Sequence, residues 1–339
     1  MTTKTKKIRQ TVARLDSIIK EYKDHTTPKK RDWKTYEEQY LKRIKTCFNE
    51  IKPLIDEACS VIKISRKEKR GASSKLNLKQ KLTLLILKQF CGKSNRCMAG
   101  MLFLFSYLSD VEEISYKSIE RLYEDPLVQC ALFNLHILIL KKKGIISADC
   151  CGDGTGYAIS VEQYYAAHAK KLKEKGKINV RESKRKFIYS FAIMDIKTRM
   201  YVGFGTSLKS EKEAFLAALT MTRKTKIKIY SLRLDRYFSC ESYAKLCTTE
   251  LENVRIYLVP KSNIAKLGLG EWRRNVVRFM KNTFSFLKEY FQRNQSESGI
   301  SEDKKRVGWK LQQKLENRIK TANSLTMLIH NLFWFGADV

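Results

Sequence analysis

The stretch that decides the fold reads Phe187-Ile-Tyr-Ser-Phe-Ala-Ile-Met-Asp195, then Ile196-Lys-Thr198, then Met200-Tyr-Val-Gly-Phe-Gly-Thr206. Two runs rich in β-branched and aromatic residues, separated by a short polar turn, predict an antiparallel hairpin. Outward from this hairpin, periodicity predicts one strand before it at 144–151 and two after it at 227–234 and 254–259. Helical patterns lie at 211–222, 239–251, about 271–295 and 309–334.

The predicted order is therefore β, a ββ hairpin, α, β, α, β, α, α, which is an α/β fold with a mixed sheet. Three antiparallel strands extended by two more through crossover helices form the RNase H-like arrangement. In that arrangement the ends of the first and fourth strands are adjacent. The helix that follows the fifth strand covers them.

The N-terminal part is predicted to be entirely helical. The chain as a whole is predicted to have three regions. Residues 1–75 are a basic helical region, 76–140 a second helical region, and 141–339 the mixed-sheet domain. Helical patterns at 96–108 and 116–123, joined by a short turn, suit a DNA-binding helix-turn-helix with Lys117, Ser118 and Arg121 free to meet a groove. A plain helical hairpin is the alternative interpretation, because any two packed helices with a polar turn look alike.

Charge points to a polyanionic partner. The 339 residues include 67 Lys and Arg against 35 Asp and Glu, a net charge of +32, which is typical of proteins that bind nucleic acid. Apolar residues make up 43% of the chain, enough for a packed core. Nine residues between 170 and 186 are Lys or Arg. This segment is either a solvated loop or a loop that contacts phosphates.

No feature of the sequence predicts secretion, a membrane span or a zinc site. The N-terminus has no apolar signal segment, and the most apolar run, 131–140, is half the length that a bilayer requires. Nine cysteines occur without a CxxC pair, which favours reduced, packed thiols in a cytoplasmic protein.

Three acidic residues stand at informative places in so basic a chain. Asp153 follows the first predicted strand, Asp235 ends the fourth, and Glu297 lies beyond the fifth. Carboxylates brought together there could hold two Mg²⁺ ions roughly 3.5–4 Å apart, because Mg²⁺ prefers hard oxygen ligands. Each acid also has a plainer interpretation: a turn residue for Asp153, an ion-paired structural residue for Asp235, and a helix-surface glutamate for Glu297.

The segment around Glu297 carries a signature. Tyr290, Arg293, Glu297 and Lys304 form the pattern Y-x2-R-x3-E-x6-K. At helical spacing the four side chains share one face, although Gly299 could break the helix before Lys304. The pattern matches the YREK signature of a large group of prokaryotic insertion-sequence transposases with a DDE catalytic domain, and the sequence from about 114 to 335 resembles an archaeal member of that group.

The resemblance implies a transposase that cleaves transposon ends and joins the 3′-hydroxyl to target DNA, acting as a dimer with two Mg²⁺ ions, for which Mn²⁺ is expected to substitute. Glu297 would be the third catalytic acid, while Tyr290, Arg293 and Lys304 would contact phosphates of the terminal repeat. Asp149 is the alternative first acid, because it shares a strand face with Asp153. A structure-selective nuclease and a non-catalytic DNA-binding descendant are the alternative functions.

Two further expectations come from the same stretch. In this group a β-rich insertion often separates the second acid from the glutamate, whereas here only 62 residues separate Asp235 from Glu297. Any role of that insertion, such as clamping a hairpinned DNA end, is therefore in doubt. Trp272 is interpreted as a packed helix residue, with stacking on an unpaired base as the alternative.

Overall fold

A computed structural model describes residues 3–24, 32–63, 75–111, 113–159, 187–264 and 267–337. The N-terminal part of the described chain is helical, as predicted. Its helices, in chain order, are α1 (Thr3–Ala13), α2 (Leu15–Asp24), α3 (Trp33–Ser60), α4 (Leu78–Phe90), α5 (Asn95–Met101), α6 (Ser106–Ser109), α7 (Tyr116–Leu122) and α8 (Pro126–Lys142).

The C-terminal part is built on a mixed sheet with flanking helices. The strands are β1 (Ser147–Ile159), β2 (Phe187–Asp195), β3 (Tyr201–Ser207), β4 (Lys228–Arg233), β5 (Arg255–Tyr257) and β6 (Lys310–Leu311). The helices are α9 (Glu211–Thr225), α10 (Glu241–Glu250), α11 (Gly270–Lys281), α12 (Thr283–Tyr290), α13 (Asn294–Val307) and α14 (Glu316–Phe335).

The strand order is that of a mixed α/β sheet and is compatible with the predicted arrangement. The sheet runs β3-β2-β1-β4-β5, with β6 paired to the far end of β1. Strand β2 is antiparallel to both β1 and β3, whereas β4 and β5 run parallel to β1. In the β1–β4 register Cys151 lies beside Arg233, so the positions two residues further along, Asp153 and Asp235, come to the same part of the sheet.

Strand β1 is longer than expected, which corrects one prediction. Asp153 was placed just beyond the first strand, but β1 continues through it and pairs with β2 at Ala192. The Gly-rich stretch is extended because it pairs with β2 along its length. Glycine also allows close packing there, since a Cβ atom on Gly152 would lie only 2.9 Å from both Leu234 and Phe191.

Helix α9 lies directly on β3 because two glycines of the strand have no side chains. A Cβ atom on Gly205 would overlap the carbonyl oxygen of Ala214, and one on Gly203 would lie 2.9 Å from the carbonyl oxygen of Ala218. The start of α9 is fixed by the Ser210 side chain, which accepts a hydrogen bond from the Glu213 amide.

Asparagine side chains form hydrogen bonds with backbone groups at both outer edges of the sheet. On β3, Asn331 of α14 bonds to both the N–H (2.7 Å) and the carbonyl (2.8 Å) of Tyr201. Beyond β5, Asn275 of α11 does the same for Leu258, at 3.0 and 2.7 Å. These amides satisfy polar groups that an edge strand would otherwise leave unpaired.

The N-terminal helices pack against the sheet domain through α14, whose residues are buried on nearly every side. Helices α3, α4 and α8 all contact it, and Arg318 of α14 bonds to Glu120 and Glu124 at the end of α7. Residues of both parts form one continuous apolar core. Among the described residues, no helix combines the length and apolar character needed to cross a membrane.

Several predicted boundaries were wrong. The single helix expected at 271–295 is interrupted at Asn282, whose extended backbone and side chain cap the start of α12. The last helix begins at Glu316, so Trp309 precedes the short strand β6 instead of opening a helix. Helix α8 begins after Asp125, whose side chain caps it, with Pro126 at the first helical position. The lysine-rich segment at 170–186 lies outside the described residues.

Candidate active site

The three candidate acids are brought together by the fold. Asp153 projects from β1, Asp235 directly follows β4 and Glu297 lies in the first turn of α13. The Arg293 guanidinium joins two of them: its Nη1 is 2.6 Å from Glu297 and its Nη2 is 3.9 Å from Asp235. Asp153 lies close enough to the other two acids for the charges of Glu297 and Asp235 to raise its pKa.

Burial perturbs the pKa of Asp153. Burial, the largest cause, raises its pKa from the ordinary value of 3.8 to about 6, and the nearby Arg293 charge opposes this shift. A half-buried carboxylate whose like-charged neighbours also disfavour ionisation is costly to keep without a cation. Perturbations of this kind concentrate at functional sites.

Asp235 is held by the backbone turn that follows β4. Its side chain accepts a hydrogen bond from the Tyr237 amide at 3.4 Å and caps a short 3-10 turn, Arg236–Phe238. The side chain remains 46% exposed, and that of Glu297 47% exposed. Both carboxylates are therefore open to an approaching ligand, in contrast to the largely buried Arg293.

The signature residues lie on α12, on α13 and on the short 3-10 turn between them, Phe291–Arg293, and both helices contact the sheet. Arg233 of β4, with a side chain only 3% exposed, pairs with Glu289 of α12 and donates to its carbonyl oxygen at 2.8 Å. Gly299 does not break the helix: it is buried in α13, where a Cβ atom would overlap Met194 of β2. The glycine lets α13 approach the sheet closely.

A buried polar network fixes the second half of α13. Asp303, fully buried, accepts hydrogen bonds from the Tyr201 hydroxyl (2.7 Å) and from Arg306 (3.1 Å). His330 of α14 contacts it through Nδ1 at 2.7 Å and reaches the Arg199 carbonyl oxygen through Nε2, also at 2.7 Å. These contacts join α13, α14 and the β2–β3 turn.

The remaining signature residues lie along the same helical path. Tyr290 is 6% exposed and interacts with Arg293. Lys304 donates to the Thr155 hydroxyl at 2.6 Å and lies 4.7 Å from the ring centre of Trp309, which is 65% exposed. Since Thr155 is two residues beyond Asp153 on the same face of β1, Lys304 and Trp309 flank the acids. The sequence prediction did not single out Trp309 as part of this surface.

Asp149 lies apart from the other acids. It is exposed, sits four residues before Asp153 on β1, and accepts a hydrogen bond from Ser231 of β4. Arg293 bonds to Asp235 and Glu297, and it is the charges of those two acids, not that of Asp149, that raise the pKa of Asp153.

The predicted DNA-binding residues of α7 are exposed. Lys117 and Arg121 point away from the core, while Ile119 and Leu122 are buried. Ser118 instead interacts with the cap residue Ser115 through a 2.9 Å hydrogen bond between the two hydroxyls. In contrast, Trp272 is 5% exposed and packs against Gly268, so it is a packed helix residue as interpreted.

One acidic residue near the site was missed. Glu211, the first residue of α9, lies against Gly154 and beside Asp235, and burial together with the Asp235 charge raises its pKa. The sequence signal that could have drawn attention to Glu211 is its place at the start of a capped helix soon after the third strand. However, nothing in the sequence relates this position to Gly154.

The donor set suits a hard divalent cation, since every candidate ligand is a carboxylate. Among the described residues, no three Asp, Glu, His or Cys side chains stand close enough together to hold a metal ion. The positive charge among the acids is that of Arg293, whose Nε has no hydrogen-bond partner within the described structure. A metal ion would therefore have to take over from the guanidinium, and the acids would have to close around it.

Comparison with known proteins identifies the family. A protein of Archaeoglobus fulgidus described as "Probable transposase for insertion sequence element ISA1214" is 37% identical to this chain over 324 residues, which cover 95% of each protein. No family model matches the chain, and no solved structure does so. At this identity and coverage, the chain belongs to the family of insertion-sequence transposases.

Proposed function

We propose that this transposase belongs to the YREK group and uses DDE chemistry on an RNase H-like domain. Asp153, Asp235 and Glu297 would be the catalytic acids. The observation that carries the proposal is the position of one guanidinium, that of Arg293, between the carboxylates of Asp235 and Glu297 and close enough to Asp153 to shift its pKa. The strand order β3-β2-β1-β4-β5 supports the assignment of the fold.

The acids would hold two Mg²⁺ ions, which when bound activate the attacking oxygen and neutralise charge on the scissile phosphate. The remaining work belongs to the chain. Arg293, released from the acids, would donate to a phosphate of the transposon end, because a guanidinium binds phosphate and carboxylate oxygens with the same geometry. Lys304, held on Thr155 at 2.6 Å, would contact a neighbouring phosphate.

The DNA substrate is proposed from charge and exposure. The net charge of +32 supplies the general attraction for a polyanion. Exposed Lys117 and Arg121 on α7 are proposed to contact the terminal repeat. A homodimer follows from the resemblance, because two element ends must be brought together for transposition.

One assay tests this function directly. Purified full-length protein is mixed with Mg²⁺, a labelled duplex ending in the inverted repeat that flanks its gene, and a supercoiled target plasmid. Transfer of the label into the plasmid is expected. Cleavage without transfer would indicate a nuclease instead, and binding without cleavage would indicate a DNA-binding descendant that lacks chemistry.

A variant pair assigns the chemistry to the acids. Asp235→Asn should bind the duplex normally but neither cut nor transfer it. Asp110→Asn is the matched control: Asp110 is exposed and adopts a left-handed conformation, φ 51°, that asparagine tolerates well. If Asp235→Asn cuts as well as the parent protein, the assignment of the acids is wrong.

A further inference from the structure

The guanidinium of Arg233 is a buried junction between three strands and a helix. It donates through Nε to the Glu289 carbonyl oxygen at 2.8 Å and pairs through Nη2 with the Glu289 carboxylate at 2.5 Å. Its Nη1 donates to the Ser231 hydroxyl at 2.7 Å and to the Cys150 carbonyl oxygen at 3.4 Å. The ring centre of Tyr257 lies 4.8 Å from its Cζ. One side chain therefore contacts β1, β4, β5 and α12.

Two of the connected strands lead to the aspartates of the site. Cys150 precedes Asp153 by three residues on β1, and Arg233 precedes Asp235 by two. The ladder between β1 and β4 ends with Cys151 opposite Arg233. Arg233 is thus the last residue of β4 that this ladder holds before Asp235, and its side chain joins the two strands a second time.

The connected helix leads to the third acid. Glu289 lies in the last turn of α12, four residues before Arg293 and eight before Glu297. No backbone ladder joins a helix to a sheet, so side chains decide where α12 ends relative to β4. By bonding to both the carbonyl oxygen and the carboxylate of Glu289, Arg233 links the strand that leads to Asp235 with the helical path that leads to Glu297.

Apolar packing alone would leave the helix freer to slide. Phe286 of α12 lies against Tyr257 of β5, with ring centres 5.3 Å apart. Such contacts are non-directional, whereas the N–H groups of a guanidinium donate in fixed directions. Burying a charge also has a desolvation cost, and apolar residues of similar volume often give equal stability. The arginine therefore offers direction to a degree that an apolar residue would not.

The same group of contacts includes Asp149. The Ser231 hydroxyl, which accepts a hydrogen bond from Arg233, donates one to the Asp149 carboxylate. Asp149 and Ser231 also lie opposite each other in the β1–β4 ladder. The acid considered as the alternative to Asp153 is therefore engaged with β4, in the chain of contacts that ends at Glu289.

We infer that Arg233 is a positioning residue, which sets the separation between Asp235 and the helical path that carries Glu297. The inference rests on the proposed function, in which these acids act together. Arg233 acts through Glu289 and through the strand backbone, because its own side chain is only 3% exposed. Losing its fork of donors should leave the acids present but out of alignment.

Arg233→Lys keeps the positive charge and removes the fork, so it tests direction separately from charge. Arg278→Lys is the matched control. Arg278 of α11 also joins a helix to a strand, since it pairs with Glu271 at 2.5 Å and donates to the Ile256 carbonyl oxygen at 2.9 Å. It does not lie on a segment that leads directly to one of the three acids.

Two measurements on the full-length protein separate positioning from stability. Arg233→Lys should slow single-turnover cleavage of saturating terminal-repeat duplex in Mg²⁺ by about 10- to 100-fold, with unchanged affinity for the duplex. Calorimetric titration of the DNA-free protein should show Mn²⁺ binding weakened by at least about tenfold. Arg278→Lys should match the parent in both. Urea unfolding identifies conditions in which all proteins are folded.

A purely structural arginine gives a different result. Arg233→Lys would then unfold at lower urea concentration but, while folded, would cut and bind Mn²⁺ like the parent, which overturns the inference. Glu289→Ala removes the same ion pair from its half-exposed side, so it serves if Arg233→Lys does not fold. It should also slow cleavage at unchanged duplex affinity, and a rate equal to that of the parent would contradict the inference.

The outcomes also distinguish this inference from the proposed function. If Asp235→Asn loses cleavage and Mn²⁺ binding while Arg233→Lys keeps both, the positioning role is wrong and the three-acid site stands. If the parent neither cuts the duplex nor binds Mn²⁺, the metal-dependent function fails and the inference fails with it.

Discussion

Arg293 and Glu297 form an ion pair of 2.6 Å across one turn of helix at the centre of the acidic site. The same guanidinium reaches towards Asp235 and is only 15% exposed on its side chain. The protein thus supplies an internal cation where the proposed mechanism needs a metal ion. Metal loading and release of Arg293 should therefore be coupled.

Replacing Arg293 with Gln should strengthen Mn²⁺ binding by about tenfold, because the metal no longer competes with a resident cation. The metal-free protein should lose thermal stability, since three acids are left without their counter-charge, and Mn²⁺ should restore it. Titration calorimetry and thermal unfolding measure both effects. Arg293→Lys, which keeps the charge, is the control, and weaker Mn²⁺ binding by Arg293→Gln would contradict the coupling.

Ionisation of Asp153 should lower the free energy of unfolding of the metal-free protein as pH rises. Its pKa is about 6 in the folded protein against an ordinary 3.8, so the folded state binds more protons than the unfolded state between these values. Stability should fall across that window, and the ionised group should cost up to about 3 kcal/mol above it. Urea unfolding of Asp153→Asn and of the parent from about pH 4 to about pH 8 measures this cost.

The stabilisation by Asp153→Asn should be absent near pH 4 and fully developed above pH 6. Taking the difference between the two proteins removes the contributions of the other acids. A difference that stays constant across the whole range would show that the pKa of Asp153 is not raised.

The buried Asp303 network should be essential for stability. Asp303→Asn leaves Arg306 and His330 without the carboxylate to which both now bond. Removing one partner of a buried ion pair typically costs about 3–5 kcal/mol. Urea unfolding measures this loss, with Glu316→Gln as an exposed control on α14. A loss below about 1 kcal/mol would show that the network does not hold α13 in place.

Two glycine replacements should differ in their cost to stability. Gly205→Ala places a methyl group against the backbone of α9 and should cost about 2–3 kcal/mol through overpacking. Gly154→Ala meets only the flexible end of Glu211, so its cost should be below about 1 kcal/mol. Equal destabilisation by the two replacements would contradict the packing described for α9.

The exposed basic residues of α7 should contribute to DNA affinity through phosphate contacts. Replacing both Lys117 and Arg121 with Ala should reduce the slope of log affinity against log salt by about two, close to one unit for each lost contact. Fluorescence anisotropy with the terminal repeat measures the slope. Lys142→Ala, which removes an exposed lysine paired with Glu57, is the control. An unchanged slope would place the DNA elsewhere.

Much of the sheet could be predicted because its signals are local. The alternation around residues 187–206 identified the β2–β3 hairpin, and the order of elements gave the strand order that brings Asp153 near Asp235. The spacing of Tyr290, Arg293 and Glu297 likewise reflects one continuous helical path. Each of these predictions depends on periodicity within a few turns of chain.

The errors arose where packing between distant segments overrides local preference. The run after Cys151 has the composition of a turn, yet Gly152 and Gly154 lie in an extended strand that pairs with β2. Only glycine leaves room there for Leu234, Phe191 and Glu211. Gly299 was likewise interpreted as a possible helix breaker, yet it lies within α13, where it allows the helix to approach Met194 closely. Neither Met194 nor Glu211 lies near its glycine in sequence, so no local pattern could reveal these contacts.

The amide pairs that Asn331 and Asn275 make at the outer strands limit how two molecules can associate. With the Tyr201 and Leu258 backbone groups already bonded within the chain, neither margin of the sheet offers those groups to a foreign strand. A second molecule's strand would have to displace the asparagines at these two positions, so the protomers of the proposed synaptic complex are expected to meet through other surfaces.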